Sequence, residues 1–229
     1  MAAKKSRQGR GTGKITVSED GPYLVSGNIP ISEQVIVADK DGFSEEWRKG
    51  QDYSHGECYS LCRCGKSKAK PFCDGNHVKA KFKGRETASR LPYERQASAI
   101  EGPNLTLLDA PDLCAFARFC DRGEGVWSYT RASGEKEARD TAVEEACKCP
   151  SGRLVAVDRE TGEHLEPKLE PSIGVVEDPK MGVSGPLWVR GGITIESADG
   201  KPYEARNRVT LCRCGKSGNK PFCDGSHAN

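Results

Sequence analysis

Short apolar runs broken by glycine, proline and polar turns make up most of the hydrophobic pattern, and such runs read as β-strands. Gly21-Pro22-Tyr23-Leu24-Val25-Ser26-Gly27-Asn28-Ile29-Pro30-Ile31 opens the series. Tyr59-Ser60-Leu61, Leu105-Thr106-Leu107-Leu108-Asp109, Leu154-Val155-Ala156-Val157 and Val209-Thr210-Leu211 continue it. One stretch, Gly134 to Glu145, is rich in helix formers, with Ala142, Val143 and Ala146 as an apolar stripe. Residues 161–182 are polar and proline-rich, and Pro167, Pro171 and Pro179 argue against a long helix there.

The pattern repeats. Gly185-Pro186-Leu187-Trp188-Val189-Arg190-Gly191-Gly192-Ile193-Thr194-Ile195 matches the opening run at an offset of 164. Leu61 to His77 matches Leu211 to His227 at an offset of 150, and only positions 68, 69 and 76 differ between the first Cys and the His. The first copy therefore carries about 14 additional residues, assigned to an insert over Asp41 to Asp52 that holds Phe43 and Trp47. Two or three short strands cannot bury a core by themselves. Pairing the two copies face to face would bury one, as a homodimer uses one surface twice.

Composition agrees with small stapled domains. Apolar residues are 35% of the 229, aromatic residues 7%, and Gly with Pro number 39. Eleven cysteines are the expected staple, and their odd number disfavours a pure disulfide framework. No 18-residue apolar run is present, and Lys4, Lys5, Arg7, Arg10 and Lys14 precede no apolar segment. A basic flexible tail over 1–15 and a reducing, cytoplasmic setting with metal-bound thiolates are expected, without membrane association. Residues 98–182 hold 10 Lys/Arg against 17 Asp/Glu, a balance of −7, so an acidic middle is flanked by basic ends. No aromatic-interleaved basic stripe accompanies that charge, and nucleic acid is not an expected partner.

The repeated segment is C-x-C-x8-C-x3-H. Cys62 and Cys64, like Cys212 and Cys214, can direct both sulfurs to one metal. Cys73 with His77, like Cys223 with His227, stand one helical turn apart, with Asp74 and Asp224 placed to cap that turn. One zinc ion could take all four ligands, and a 2Fe–2S cluster also needs four. Spacing leaves both open. The two segments resemble the CDGSH iron–sulfur family, the mitoNEET-type proteins, whose pattern is C-x-C-x2-(S/T)-x3-P-x-C-D-G-(S/A/T)-H. Cys212, Cys214, Ser217, Pro221, Cys223, Asp224, Gly225, Ser226 and His227 fit throughout, and the first copy departs only by Asn76.

The resemblance implies one 2Fe–2S cluster per motif. Cys62 and Cys64 would hold the inner iron and Cys73 and His77 the outer one, with Cys212, Cys214, Cys223 and His227 in the same roles. It also implies that a tandem chain folds both copies into one monomer. A histidine ligand makes the cluster less negative than four thiolates would, and Arg63, Lys66, Lys70, Arg213, Lys216 and Lys220 are placed to lower that charge further. Proton-coupled reduction and cluster loss on mild acidification are expected. Val78-Lys79-Ala80-Lys81-Phe82 follows His77, whereas two residues follow His227, so the second site is expected to be less shielded.

The acidic middle adds Cys114-Ala115-Phe116-Ala117-Arg118-Phe119-Cys120 and Cys147-Lys148-Cys149-Pro150-Ser151-Gly152. These resemble divergent single-cluster bacterial ferredoxin domains, with Cys114, Cys120 and Cys149 matching ligands and Ala117 at the position of a missing cysteine. The resemblance implies a 3Fe–4S cluster, or a 4Fe–4S cluster with an unusual ligand. Cys147 is a candidate for that ligand, or a packed thiol at the helix end.

The expected fold class is thus α+β. A small β-rich CDGSH pseudo-dimer would form from residues 16–97 and 183–229, with a ferredoxin-like α+β domain over 98–160 and a linker over 161–182. No nucleotide-binding glycine loop or nucleophile–base pair is evident, so a non-enzymatic electron carrier is expected, with a redox protein partner. Storage or donation of clusters to an apo acceptor, redox sensing, and a structural zinc role are the alternatives.

Overall fold

The structure is a computed structural model and describes residues 13–228. Most of the expected basic tail therefore lies outside the described residues. Its last two positions are already strand, because Lys14 opens β1 (Lys14–Val17). There follow β2 (Tyr23–Ser26), β3 (Ile31–Ala38), β4 (Ser44–Asp52) and β5 (Tyr59–Leu61), then the short helices α1 (Asn76–Lys79) and α2 (Tyr93–Gln96). The middle segment contributes β6 (Ser98–Glu101), β7 (Leu105–Asp109), α3 (Val126–Arg131), α4 (Lys136–Lys148) and β8 (Leu154–Asp158). The chain closes with β9 (Ser172–Asp178), β10 (Val183–Arg190), β11 (Thr194–Glu196) and β12 (Arg208–Leu211). The fold is mixed α+β, as expected. Among the described residues no helix is long and apolar enough to cross a membrane.

The two copies do more than face each other, because each lends a strand to the other's sheet. One sheet runs β11-β1-β2-β5, the other β12-β10-β9-β3-β4. β11 joins β1 in parallel, and β3 joins β9 in parallel, while every other pairing in the two sheets is antiparallel. The exchange begins at tight crossings after β2 and β10, where Gly27 (φ 91°), Asn28 (φ 54°), Gly191 (φ 74°) and Gly192 (φ 71°) turn the chain away from its own sheet. A side chain on Gly191 would run into the backbone of Glu170 and Pro171. The reward is one shared core of Ile15, Tyr23, Ile31, Leu61, Ile173, Leu187, Ile195 and Leu211, all buried. Truncating any of these would cost about 2–5 kcal/mol through cavity formation.

The stretch taken for a linker supplies β9, a central strand whose Ile173, Val175 and Val176 are buried. Prolines at 171 and 179 bound this strand rather than break it. The insert is also strand: β4 folds back on β3 after a turn in which Asp39 Oδ1 accepts from the amides of Asp41 and Phe43. Its Trp47 stacks on Trp188 at 4.8 Å and on Phe119 at 4.9 Å, and its indole donates to Lys148 O. The extra hairpin thus clamps the middle segment to the paired ends.

That middle segment forms the antiparallel sheet β6-β7-β8, with α3 and α4 packed over Leu105, Leu107, Leu154 and Ala156. Arg208 of β12 reaches into it from outside. Its buried guanidinium donates to the carbonyls of Ala146, Cys147, Cys149 and Leu154 and to both carboxylate oxygens of Glu166. Three of those carbonyls belong to the C-terminal end of α4, where a helix leaves acceptors unpaired and favours a cation.

Candidate metal centres

β5 and β12 deliver their chain directly to the first cysteine of each motif, and the backbone then folds back on itself. In the first copy Cys62 N donates to Pro71 O and Cys73 N to Ser60 O; in the second Cys212 N donates to Pro221 O and Cys223 N to Thr210 O. The four side chains of a motif fall into two pairs. Cys62 and Cys64 sulfurs lie 3.9 Å apart and Cys212 and Cys214 sulfurs 3.6 Å, while Cys73 Sγ to His77 Nδ1 and Cys223 Sγ to His227 Nδ1 are each 3.4 Å. Two thiolates at 2.3 Å from one tetrahedral metal stand about 3.8 Å apart, and a thiolate and imidazole about 3.5 Å. Each pair is therefore set for one metal. Among the described residues no three His, Cys, Asp or Glu side chains converge on a single metal-ion position.

Amides turn toward the sulfurs. Lys66 N and Lys216 N point at Cys64 and Cys214 at 3.4 Å, and Gly75 N and Gly225 N at Cys73 and Cys223 at 3.5 Å. Such donors favour thiolate. Without metal, burial pushes the Cys223 thiol up to about 12 and also raises Cys64. The hydrogen bond between Cys212 and Cys214 lowers Cys214 and raises Cys212. Loading these sites at neutral pH thus releases protons.

Asp74 and Asp224 each accept from the first amide of the turn that follows, Asn76 N and Ser226 N, from one residue before the N-cap position that Gly75 holds in the first copy. That glycine lies in the left-handed region and itself supplies no side-chain cap. The aspartates also tie two loops together, since Asp74 accepts from Lys68 N and Asp224 from Gly218 N. The arginines of the C-R-C segments also turn inward. Arg63 donates to Ser18 O and Gly84 O, and Arg213 to Gly185 O, Val176 O and Glu177.

The two motifs touch at their cysteine loops. Gly65 (φ 73°) lies against the Cys214 carbonyl, and Gly215 (φ 82°) against that of Cys64, where an added Cβ would stand 2.7 Å from the oxygen. Both positions need a residue without a side chain.

Shielding runs opposite to the expectation at the third cysteine, while at the inner pair Cys64 is buried and Cys214 half-buried. Cys223 and Gly225 are buried, whereas Cys73 is half-buried and Gly75 exposed. The cover comes from the middle segment, distant in sequence. Gly225 packs on Cys114 O and Phe116, Asn219 Nδ2 donates to Asp112 O at 2.8 Å, and Phe222 packs with Tyr93, Leu113 and Val155. Burial, then the charge of Arg213, lowers the His227 pKa.

Within the middle segment, Cys114 ends a 3-10 turn (Pro111–Leu113), Cys120 lies in a second (Phe119–Asp121) and Cys149 ends α4. The intervening loop is held by Phe116 (φ 54°) and Arg118 (φ 61°), both in the left-handed region. Burial raises the Cys120 thiol strongly, and the charges of Asp121, Cys149 and Cys114 add to this while Arg153 opposes it. Arg153 forms a two-pronged pair with Asp109 and reaches Cys114. Cys147 is not brought to them. Its thiol donates to Leu165 O at 3.2 Å.

Residues 20–78 and 184–228 match the family model of the iron-binding zinc finger, CDGSH type, and residues 100–159 match that of the divergent 4Fe–4S mono-cluster. No curated protein and no solved structure matches the chain.

Proposed function

We infer, for an iron–sulfur-binding chain with CDGSH-type segments at both ends and a divergent mono-cluster segment between them, that it exchanges single electrons with a protein partner. Cys62, Cys64, Cys73 and His77 would hold one 2Fe–2S cluster, and Cys212, Cys214, Cys223 and His227 a second. Cys114, Cys120 and Cys149 would hold a 3Fe–4S cluster, or a 4Fe–4S cluster with a fourth ligand other than Cys147. The observation that carries the reading is the division of each motif into two pairs, each spaced for its own metal. A structural zinc ion would draw all four side chains to one point. When bound, such clusters supply one-electron chemistry, and the fold governs exposure and charge around them.

The contiguity of the sites supports electron transfer over a structural role. Gly65 and Gly215 join the two motifs back to back, and Gly225 joins the second to Cys114. A reading as cluster donor draws on the exposed Asp74-Gly75 turn of the first motif.

Anaerobic iron and sulfide analysis with EPR before and after reduction tests the assignment. About seven or eight irons per chain are expected, with sulfide to match. About four irons would empty the middle site, and a colourless protein with stoichiometric zinc would sink the iron–sulfur reading.

Acid sensitivity should differ between the motifs. A lowered pKa keeps His227 neutral, and so able to ligate, to a lower pH, and the middle segment packs on Gly225 two residues before it. Absorbance during a downward pH titration should therefore fall in two stages. Substituting Cys73 by Ser should remove the earlier stage; loss of the later one instead would contradict the order.

A further inference from the structure

The pseudo-symmetric halves treat equivalent surfaces differently. On the second motif, the turn around Gly225 is covered by the Cys114–Phe116 loop, with Asn219 bonded to Asp112 O. On the first motif nothing among the described residues plays that part: Val78 beside His77 is 71% exposed, and Asp74 and Gly75 are open to solvent. Charge diverges in the same sense. Residues 61–78 carry four Lys/Arg against three in the matching 211–228, and Lys79, Lys81, Lys83 and Arg85 then follow in the first copy. Lys68 stands where the second copy has Gly218, and Val78 where it has Ala228.

The cations belong to one face. Lys68 N bonds to Asp74 and Asn76 Nδ2 to Lys66 O, which ties the 66–68 loop to the 74–77 turn. Lys79 follows in α1, and Lys81 N returns to Val78 O. Lys66, Lys68, Lys79 and Lys81 are all exposed, as is Val78. The segment that covers the second motif is itself acidic, with a balance of −7 over residues 98–182. The exposed lysines of the first motif are complementary to a surface of that sign.

We propose that this open face of the first motif is the docking site for the acidic surface of a one-electron redox protein. The inference deepens the electron-transfer reading and rests on it. Val78 supplies a small apolar centre and the lysines a polar rim, in keeping with the small interfaces of transient redox complexes. In the encounter one electron leaves one partner's centre and enters the other's, with no bond made or broken. Opposite charge steers the approach and is screened by salt.

The test uses the loaded full-length protein, reduced with dithionite, and two oxidised carriers: plastocyanin, which is acidic, and cytochrome c, which is basic. Reoxidation by plastocyanin should be faster at low salt by about tenfold or more and slow steeply as salt rises. Reoxidation by cytochrome c should show the opposite salt trend. Replacing Lys68, Lys79 and Lys81 by Glu should abolish the advantage of plastocyanin, and replacing them by Gln should give an intermediate rate. Arg131→Glu with Lys136→Glu, on the middle segment, should change nothing. Independently of turnover, carbodiimide cross-linking to plastocyanin should map to Lys66, Lys68, Lys79 and Lys81 and vanish in high salt. Cross-links spread over the surface, or rates indifferent to carrier charge, overturn the docking face. So does loss in the Glu variant of binding to a single-stranded oligonucleotide, with plastocyanin unaffected. Failure of both carriers to reoxidise the protein overturns the electron-transfer reading instead, and the cross-link map alone then decides the face.

Discussion

Substituting Arg208 by methionine should lower the free energy of unfolding by about 3–5 kcal/mol, the range found when one partner of a buried ion pair is removed. The side chain is 1% exposed and holds four carbonyl oxygens as well as Glu166. Methionine fills the volume and supplies no donor, so Glu166 keeps only its bond from Asn207 Nδ2 among the described residues and the C-terminal carbonyls of α4 lose their charged partner. The loss should be local before it is global. Cys149 follows α4 immediately and its own carbonyl is one of the four acceptors, so iron in the middle site should fall first. Urea unfolding with iron analysis of the folded fraction checks this. Arg208→Lys should recover only part of the stability, because an ammonium cannot serve six contacts in one plane. A change below about 1 kcal/mol in the methionine variant would mean that the network is dispensable.

The second large effect is expected from Gly215→Ala. The residue sits at φ 82°, where an L side chain costs about 1–2 kcal/mol. Its new Cβ would also meet the Cys64 carbonyl at 2.7 Å, so the backbone of the other motif must move. One substitution in the second copy should therefore reduce iron at both ends. Gly75→Ala is the matched comparison: φ is again 82°, but nothing lies within 4 Å of the added Cβ. That variant should lose only the conformational share and keep its iron. Equal iron loss in the two variants would show that the contact between the motifs does not matter.

Much of this arrangement was legible before any coordinates. A repeat with only three differences in sixteen residues announces two equal sites, and short Gly- and Pro-bounded strands that cannot bury a core alone announce their pairing. The exchange of strands was not legible, since parallel partners β3 and β9 are separated by more than a hundred residues and carry no local signal of each other. β9 itself was hidden by Pro171 and Pro179, which sit outside its ends. The order of shielding failed for a related reason: the tail after His77 is local and visible, while the Cys114–Phe116 cover arrives from another domain. Glu145 is a further case. Nothing in the sequence singles it out, yet it is fully buried, neither oxygen has a hydrogen-bond partner among the described residues, and burial pushes its carboxyl up to about 7.

The reciprocal loan of β3 and β11 sets a timetable for synthesis. β1 sits between β2 and β11, so the first sheet lacks an edge until the ribosome has made residue 196. The middle segment has its own three-stranded sheet and is complete well before that point. The nascent chain would therefore fold from its centre outward. Its first motif would sit on an incomplete sheet until residue 196 is made, although the motif itself emerges more than a hundred residues sooner.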